Sequence, residues 1–145
     1  VQHRAEADVL GAPAEDFGAP AGDAKMPHFW LDYYQRLEQR LLEGRQPDHV
    51  SVELQTFIVS EGALAILAVP GELFTAEGRA IRAASQHDHT CLVCYANGAF
   101  GYFPPRSQFE AGAYAAKLAA AAHDLPPYHP AVAERIVKAA EGLLK

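Results

Sequence analysis

The sequence predicts a mixed α/β (α+β) fold with an incomplete sheet, and three patterns lead to it. Two strand-like runs, Val50 to Val59 and Ala63 to Val69, are separated only by Ser60-Glu61-Gly62, a spacing that suits a hairpin. The second run leads through a helical segment to a further strand, Thr90 to Tyr95. The simplest form of such a unit is a right-handed crossover between parallel strands. Helical segments with three- and four-residue apolar spacing flank both patterns. The expected order is α-β-β-α-β-loop-α-α.

Each element has its own local reason. Residues 1–25 are rich in Ala, Pro, Gly and acids, and Pro13, Gly18, Pro20 and Gly22 preclude a long helix, so an irregular lead-in is expected. Pro27 then opens a helix to about Leu42, stopped at Gly44. Trp30, Tyr33, Tyr34, Leu37, Leu41 and Leu42 form its apolar stripe. The strand from Val50 alternates Val52, Leu54 and Thr56 with Glu53 and Gln55, which describes a half-buried strand. Leu64 to Val69 is apolar on both faces, which places it inside a sheet. Leu73 to about Ser85 reads as helix, with Phe74, Ile81 and Ala84 inward. A loop over 96–107 precedes a helix from Gln108 to Ala122, and after Leu125-Pro126-Pro127 a last helix runs from Pro130 to Leu144 with Val132, Ile136 and Leu143 buried. Three strands make a thin sheet, so part of it is expected from residues outside this chain.

Composition narrows the function classes. A chain of 145 residues holds one core, and half of its residues are hydrophobic with 21% charged, a globular balance. The net charge of −6 argues against non-specific nucleic-acid binding, which needs a basic footprint. No apolar run reaches the length of a transmembrane helix. The chain starts at Val1 without a signal-type apolar stretch and assigns itself no compartment, secreted or cytoplasmic. Cys91 and Cys94 have CxxC spacing, but three residues apart on a strand they point to opposite faces, so two small core residues are expected rather than a metal pair. His87-Asp88-His89 lies in a helix-to-strand connection and reads as a solvated loop. The remaining histidines show no ligand spacing, and the chain has no phosphate loop or nucleophile elbow.

Chemistry is expected where strands end, because backbone groups there lose their neighbours and face ligands. Two such places stand out. Leu64 to Val69 runs into Pro70-Gly71-Glu72, leaving a carboxylate at a helix start. Taken alone, Glu72 would complement the helix dipole; aimed into a cleft it could be a metal ligand or an acid–base group. The second place is Tyr95-Ala96-Asn97-Gly98-Ala99-Phe100-Gly101-Tyr102-Phe103-Pro104. Taken alone, Tyr102 would be a lid over the core, and Tyr114 a half-buried packing residue on the next helix.

Three separated segments resemble a known family. Val69-Pro70-Gly71-Glu72-Leu73-Phe74, the Tyr95 to Tyr102 segment, and Pro104-Pro105-Arg106-Ser107-Gln108-Phe109-Glu110-Ala111-Gly112-Ala113-Tyr114 are similar in order and separation to the C-terminal part of the catalytic domain of neutral (non-lysosomal) ceramidases, in particular their short bacterial relatives. The resemblance covers Glu53 through Tyr114. It implies that residues 26–145 form the C-terminal segment of such a domain and that the complete protein is a zinc amidohydrolase acting on ceramide or a related lipid amide. In that family zinc is held by two histidines, a glutamate and a tyrosine. The resemblance maps the glutamate to Glu72 and the tyrosine to Tyr102, and maps to Tyr114 a second tyrosine that polarises the substrate carbonyl. The family's histidines lie upstream, in a half expected as this chain's partner. Pro105 stands where a threonine is common, and Ala113 and Ala115 replace a Gly and a Glu; these departures bear on substrate preference more than on metal binding. A phenolate ligand needs the metal's charge to pull down a pKa near ~10, and Glu72 with Tyr102 alone would bind zinc weakly. The alternatives are a non-catalytic α/β interaction module, and a hydrolase of the same architecture with a different amide or ester substrate.

Overall fold

The structure, a computed structural model, describes residues 2–8, 27–47 and 49–145. Its elements are β1 (Gln2–Asp8), α1 (Pro27–Leu42), β2 (Ser51–Val59), a 3-10 turn (Ser60–Gly62), β3 (Leu64–Val69), β4 (Glu72–Leu73), α2 (Thr75–Ala84), β5 (His89–Cys94), β6 (Tyr102–Phe103), α3 (Arg106–Glu110), α4 (Tyr114–Ala121) and α5 (Val132–Leu143). This is the expected mixed α/β class with a partial sheet of mixed strands. The main sheet is four-stranded in the order β1-β2-β3-β5, and β4 with β6 forms a separate two-stranded ladder. β2 and β3 are the antiparallel pair expected across Ser60-Glu61-Gly62, and β3 and β5 run parallel, joined by α2.

The lead-in expectation is corrected at its start. Gln2–Asp8 is a strand, paired antiparallel to β2 from Gln2↔Phe57 to Asp8↔Ser51. The segment has little apolar content, so its own pattern gave no strand signal. The ladder comes from a partner about fifty residues away in sequence, reinforced by the ion pair of Arg4 with Glu53 at 3.3 Å. The rest of the lead-in, 9–25, lies outside the described residues. The thin three-strand sheet is corrected with it: the fourth strand comes from this chain, and β3 sits inside the sheet as its two apolar faces require.

One face of the sheet carries the core. Val52, Leu54, Ala65, Leu67 and Val69 pack against Ile81 of α2 and against Val132, Ile136, Ala140 and Leu143 of α5. Odd and even positions of a strand face opposite ways, so Phe57, Val59 and Val93 stand exposed on the other face. That also corrects the cysteine expectation: Cys91 is exposed and Cys94 half-buried, because β5 is an edge strand with one uncovered face. A smaller cluster joins Trp30, Tyr33 and Leu37 of α1 to Ala121 of α4. The Tyr33 hydroxyl donates to the Leu125 carbonyl at 2.8 Å and anchors α1 there. Leu41 and Leu42, expected in the α1 stripe, project beyond that contact and are exposed. The helix expected from Gln108 to Ala122 is split into α3 and α4. Gly112 adopts φ +58°, a left-handed conformation in which other residues are strained. Ala113 is then extended, so α4 restarts at Tyr114.

Candidate functional site

The C-terminal ends of parallel strands β3 and β5 meet at Pro70-Gly71-Glu72 and Tyr95-Ala96, the crevice where α/β sheets tend to place ligands. Backbone hydrogen bonds stitch the two ends together. Ala96 N–H donates to the Val69 carbonyl at 3.1 Å and Phe100 N–H to the Pro70 carbonyl at 2.8 Å, while Glu72 N–H donates to the Gly101 carbonyl at 2.7 Å. The loop after β5 therefore folds back on the loop after β3. Asn97 pins its tip by donating from Nδ2 to the buried Gln55 Oε1 at 2.8 Å. The buried Tyr128 hydroxyl holds the Phe100 carbonyl at 2.7 Å.

This stitching requires glycine at position 71. A Cβ there would sit 2.6 Å from Phe103 Cε2 and 2.7 Å from the Gly101 carbonyl oxygen. With no side chain in the way, Glu72–Leu73 can lie beside Tyr102–Phe103 as a parallel ladder with Glu72↔Tyr102 and Leu73↔Phe103 in register. Register partners project to the same face, and successive residues to opposite faces. Phe103 is fully buried and Leu73 packs on the same core. Glu72 and Tyr102 therefore share the opposite face, on strands about 4.8 Å apart; both are half-buried, and Tyr102 still packs in part against the core.

Two expectations change here. Glu72 was read at a helix start, but α2 begins two residues later behind Phe74 as its N-cap. Glu72 is a strand residue, and dipole complementation does not account for it. Tyr102 was read as a loop residue and is likewise part of a strand. Tyr114, expected half-buried, is the first residue of α4 and 62% exposed. Its ring meets that of Tyr102 edge-on with centroids 6.3 Å apart, and the Phe74 ring lies 6.5 Å from that of Tyr102. The structure thus gathers all three sequence-predicted residues, Glu72, Tyr102 and Tyr114, around one ring.

A fourth member was not assigned a role from sequence. Tyr95 donates its hydroxyl to Glu72 Oε2 at 3.0 Å. It does so from φ +54°, the left-handed region, which costs a residue with a side chain about 1–2 kcal/mol and which functional sites tend to accumulate. Partial desolvation, and after it the hydrogen bond and negative charge of Glu72, push its phenol up to about 12. The nearby Tyr102 phenol adds a smaller contribution in the same direction. The only sequence signal was a tyrosine at the end of a strand, two residues before the Asn97-Gly98 turn pair.

A carboxylate and a phenol on one face are hard oxygen donors that suit a zinc ion in part. Stable zinc sites take three or four protein ligands, and among the described residues no group of three or more His, Cys, Asp or Glu comes together to hold a metal. Glu72 and Tyr102 could supply at most two of those ligands. His87 is engaged elsewhere, its Nδ1 2.8 Å from the Gly62 carbonyl oxygen at the opposite end of β3. Among the described residues no helix is long and apolar enough to cross a membrane.

No protein-family model matches the chain, and no curated protein matches it. Among solved structures it is similar to the neutral ceramidase from Pseudomonas aeruginosa, at 23% identity and a TM-score of 0.45 over 68% of this chain and 16% of that one. It is also similar to a ceramidase complexed with C2, at 23% identity and a TM-score of 0.43 over 68% of this chain and 15% of that one.

Proposed function

We propose that this chain contributes one side of the metal site of a ceramidase-like zinc amidohydrolase. Its substrate is the N-acyl amide of ceramide or a related lipid amide. The observation that carries the reading is the register Glu72↔Tyr102, which turns a carboxylate and a phenol to one face at the crevice of the sheet. The resemblance of the three sequence segments supports the same pair as zinc ligands. The remaining ligands come from a complementary part of the catalytic domain outside this chain.

A bound zinc ion supplies Lewis acidity toward an amide carbonyl and lowers the pKa of a water toward neutrality. The chain's own residues do the rest. Glu72 and Tyr102 would hold the cation. Tyr114, exposed and with its ring edge-on to that of Tyr102, would donate its phenolic O–H to the oxyanion that develops on the amide carbonyl. The neighbouring rings of Phe74 and Tyr102, 6.5 Å apart, offer apolar surface that an acyl chain would meet.

The test uses the protein as its gene encodes it. Glu72→Gln and Tyr102→Phe are expected to lose bound zinc and ceramide hydrolysis together. Tyr114→Phe keeps its zinc and loses about 10²–10³ in kcat, the value of one oxyanion donor. Full zinc content in the Tyr102 variant, or an unchanged kcat in the Tyr114 variant, overturns the assignment. The 145-residue chain by itself is expected to be inactive, and zinc-dependent amidase activity from it alone would refute the half-site.

A further inference from the structure

We propose that Tyr95 is a positioning residue for Glu72, leaving one carboxylate oxygen free to meet a cation. The inference rests on the zinc reading above. Tyr95 Oη donates to Glu72 Oε2 at 3.0 Å, so that oxygen is engaged while Oε1 takes no part in the bond, and Glu72 is the register partner of Tyr102. The bond fixes the rotation of a side chain that is only half-buried and would otherwise sample several rotamers. It is made from a backbone conformation that tyrosine rarely adopts, φ +54°. That conformation is in turn held by hydrogen bonds on either side: Tyr95 N–H to the Gly71 carbonyl at 3.4 Å and Ala96 N–H to the Val69 carbonyl at 3.1 Å. The same peptide segment that carries Glu72 therefore also holds the residue that orients it. A carboxylate with one oxygen tied by a phenol binds a metal through the other, and outer partners of this kind set ligand orientation and metal affinity.

The experiment titrates Zn2+ alone into the protein as its gene encodes it, with the complementary part of the domain present, in wild type, Tyr95→Phe, Glu72→Gln and the double variant. Binding is followed by the metal isotherm and by the ultraviolet difference spectrum of the Tyr102 phenolate. Tyr95→Phe keeps the ring and removes only the hydroxyl, so its urea midpoint reports whether the fold is intact. The expected result is a 10–100-fold loss of Zn2+ affinity in Tyr95→Phe. No further loss is expected when that change is added to Glu72→Gln, because both act through one carboxylate. If Tyr95→Phe binds as wild type does while Glu72→Gln is weak, the positioning role is overturned and the zinc reading stands. A loss of equal size in the Glu72→Gln background overturns it too, since Tyr95 would then act by another route. If wild type takes up no Zn2+ and shows no phenolate signal, the zinc reading falls and the positioning role with it.

Discussion

Gly71→Ala is the most direct perturbation of the frame that brings Glu72 beside Tyr102. The new methyl would stand 2.6 Å from Phe103 Cε2, 2.9 Å from its Cζ and 2.7 Å from the Gly101 carbonyl oxygen. Phe103 is fully buried among core side chains, so its ring cannot swing out of the way. The Gly101 carbonyl is held as the acceptor of Glu72 N–H at 2.7 Å. Relief therefore comes from separating β4 from β6. Overpacking of this kind costs about 1–3 kcal/mol, and weakening one backbone hydrogen bond about 1 kcal/mol more. The lower entropy of an unfolded chain with Ala in place of Gly offsets about 0.4–1 kcal/mol. The net is a destabilisation of about 2 kcal/mol. In urea, with a slope of about 1–2 kcal/mol per molar, the midpoint falls by about 1–2 M. Gly78→Ala is the matched control. It lies in the interior of α2, where a Cβ would meet nothing closer than Arg82 Nη1 at 4.0 Å, so the helix gains about 0.5–1 kcal/mol. The two substitutions should move the midpoint in opposite directions. A Gly71→Ala midpoint equal to or above that of wild type would refute the close-approach account of the ladder.

Two further outcomes follow from the packing around this frame. Tyr128→Phe leaves the Phe100 carbonyl without its 2.7 Å donor while the ring contact with Phe103 remains. A destabilisation of about 1–3 kcal/mol is expected in urea, and an unchanged midpoint would mean that the hydroxyl does not anchor the loop. His129 is held below its ordinary pKa of 6.5 by desolvation, and then by the charges of Arg135 and Arg106. Its neutral Nδ1 accepts the Ala131 N–H at 3.0 Å at the start of α5. A histidine with a depressed folded-state pKa contributes stability that is fully present above 6.5 and is lost as pH falls through the folded value. Urea midpoints of wild type and His129→Gln, taken from about pH 7 down to about pH 5, should show the wild type losing more stability over that window. Parallel pH profiles would contradict it.

The local reading failed wherever a distant partner decided the outcome. α1, β2, β3, α2, β5 and α5 were all expected within a few residues of where they lie, because apolar periodicity and Pro or Gly punctuation are local properties. β1 was missed because its strand character comes from the edge of β2. The break between α3 and α4 was missed because an isolated Gly112 in a helical pattern does not announce a left-handed turn. Leu41 and Leu42 had the right spacing for burial, but α1 outruns the surface it packs on.

The candidate site divides along the same line. Glu72, Tyr102 and Tyr114 could be named from sequence as residues at and after strand ends, and three motifs that carry them resemble those of one family. Sequence alone left Glu72 as a helix-start carboxylate and Tyr102 as a loop residue. Only the tertiary structure made them register partners, because β pairing joins chain segments thirty residues apart through backbone hydrogen bonds that leave no periodic trace. Only the tertiary structure found Tyr95, whose role depends on a left-handed turn that its side chain opposes and its neighbours enforce. The chain's composition and periodicity determined that it would bury one face of a sheet under helices. Which polar groups meet at the end of that sheet was decided by register, by the missing side chain of Gly71, and by the two loops that close on it.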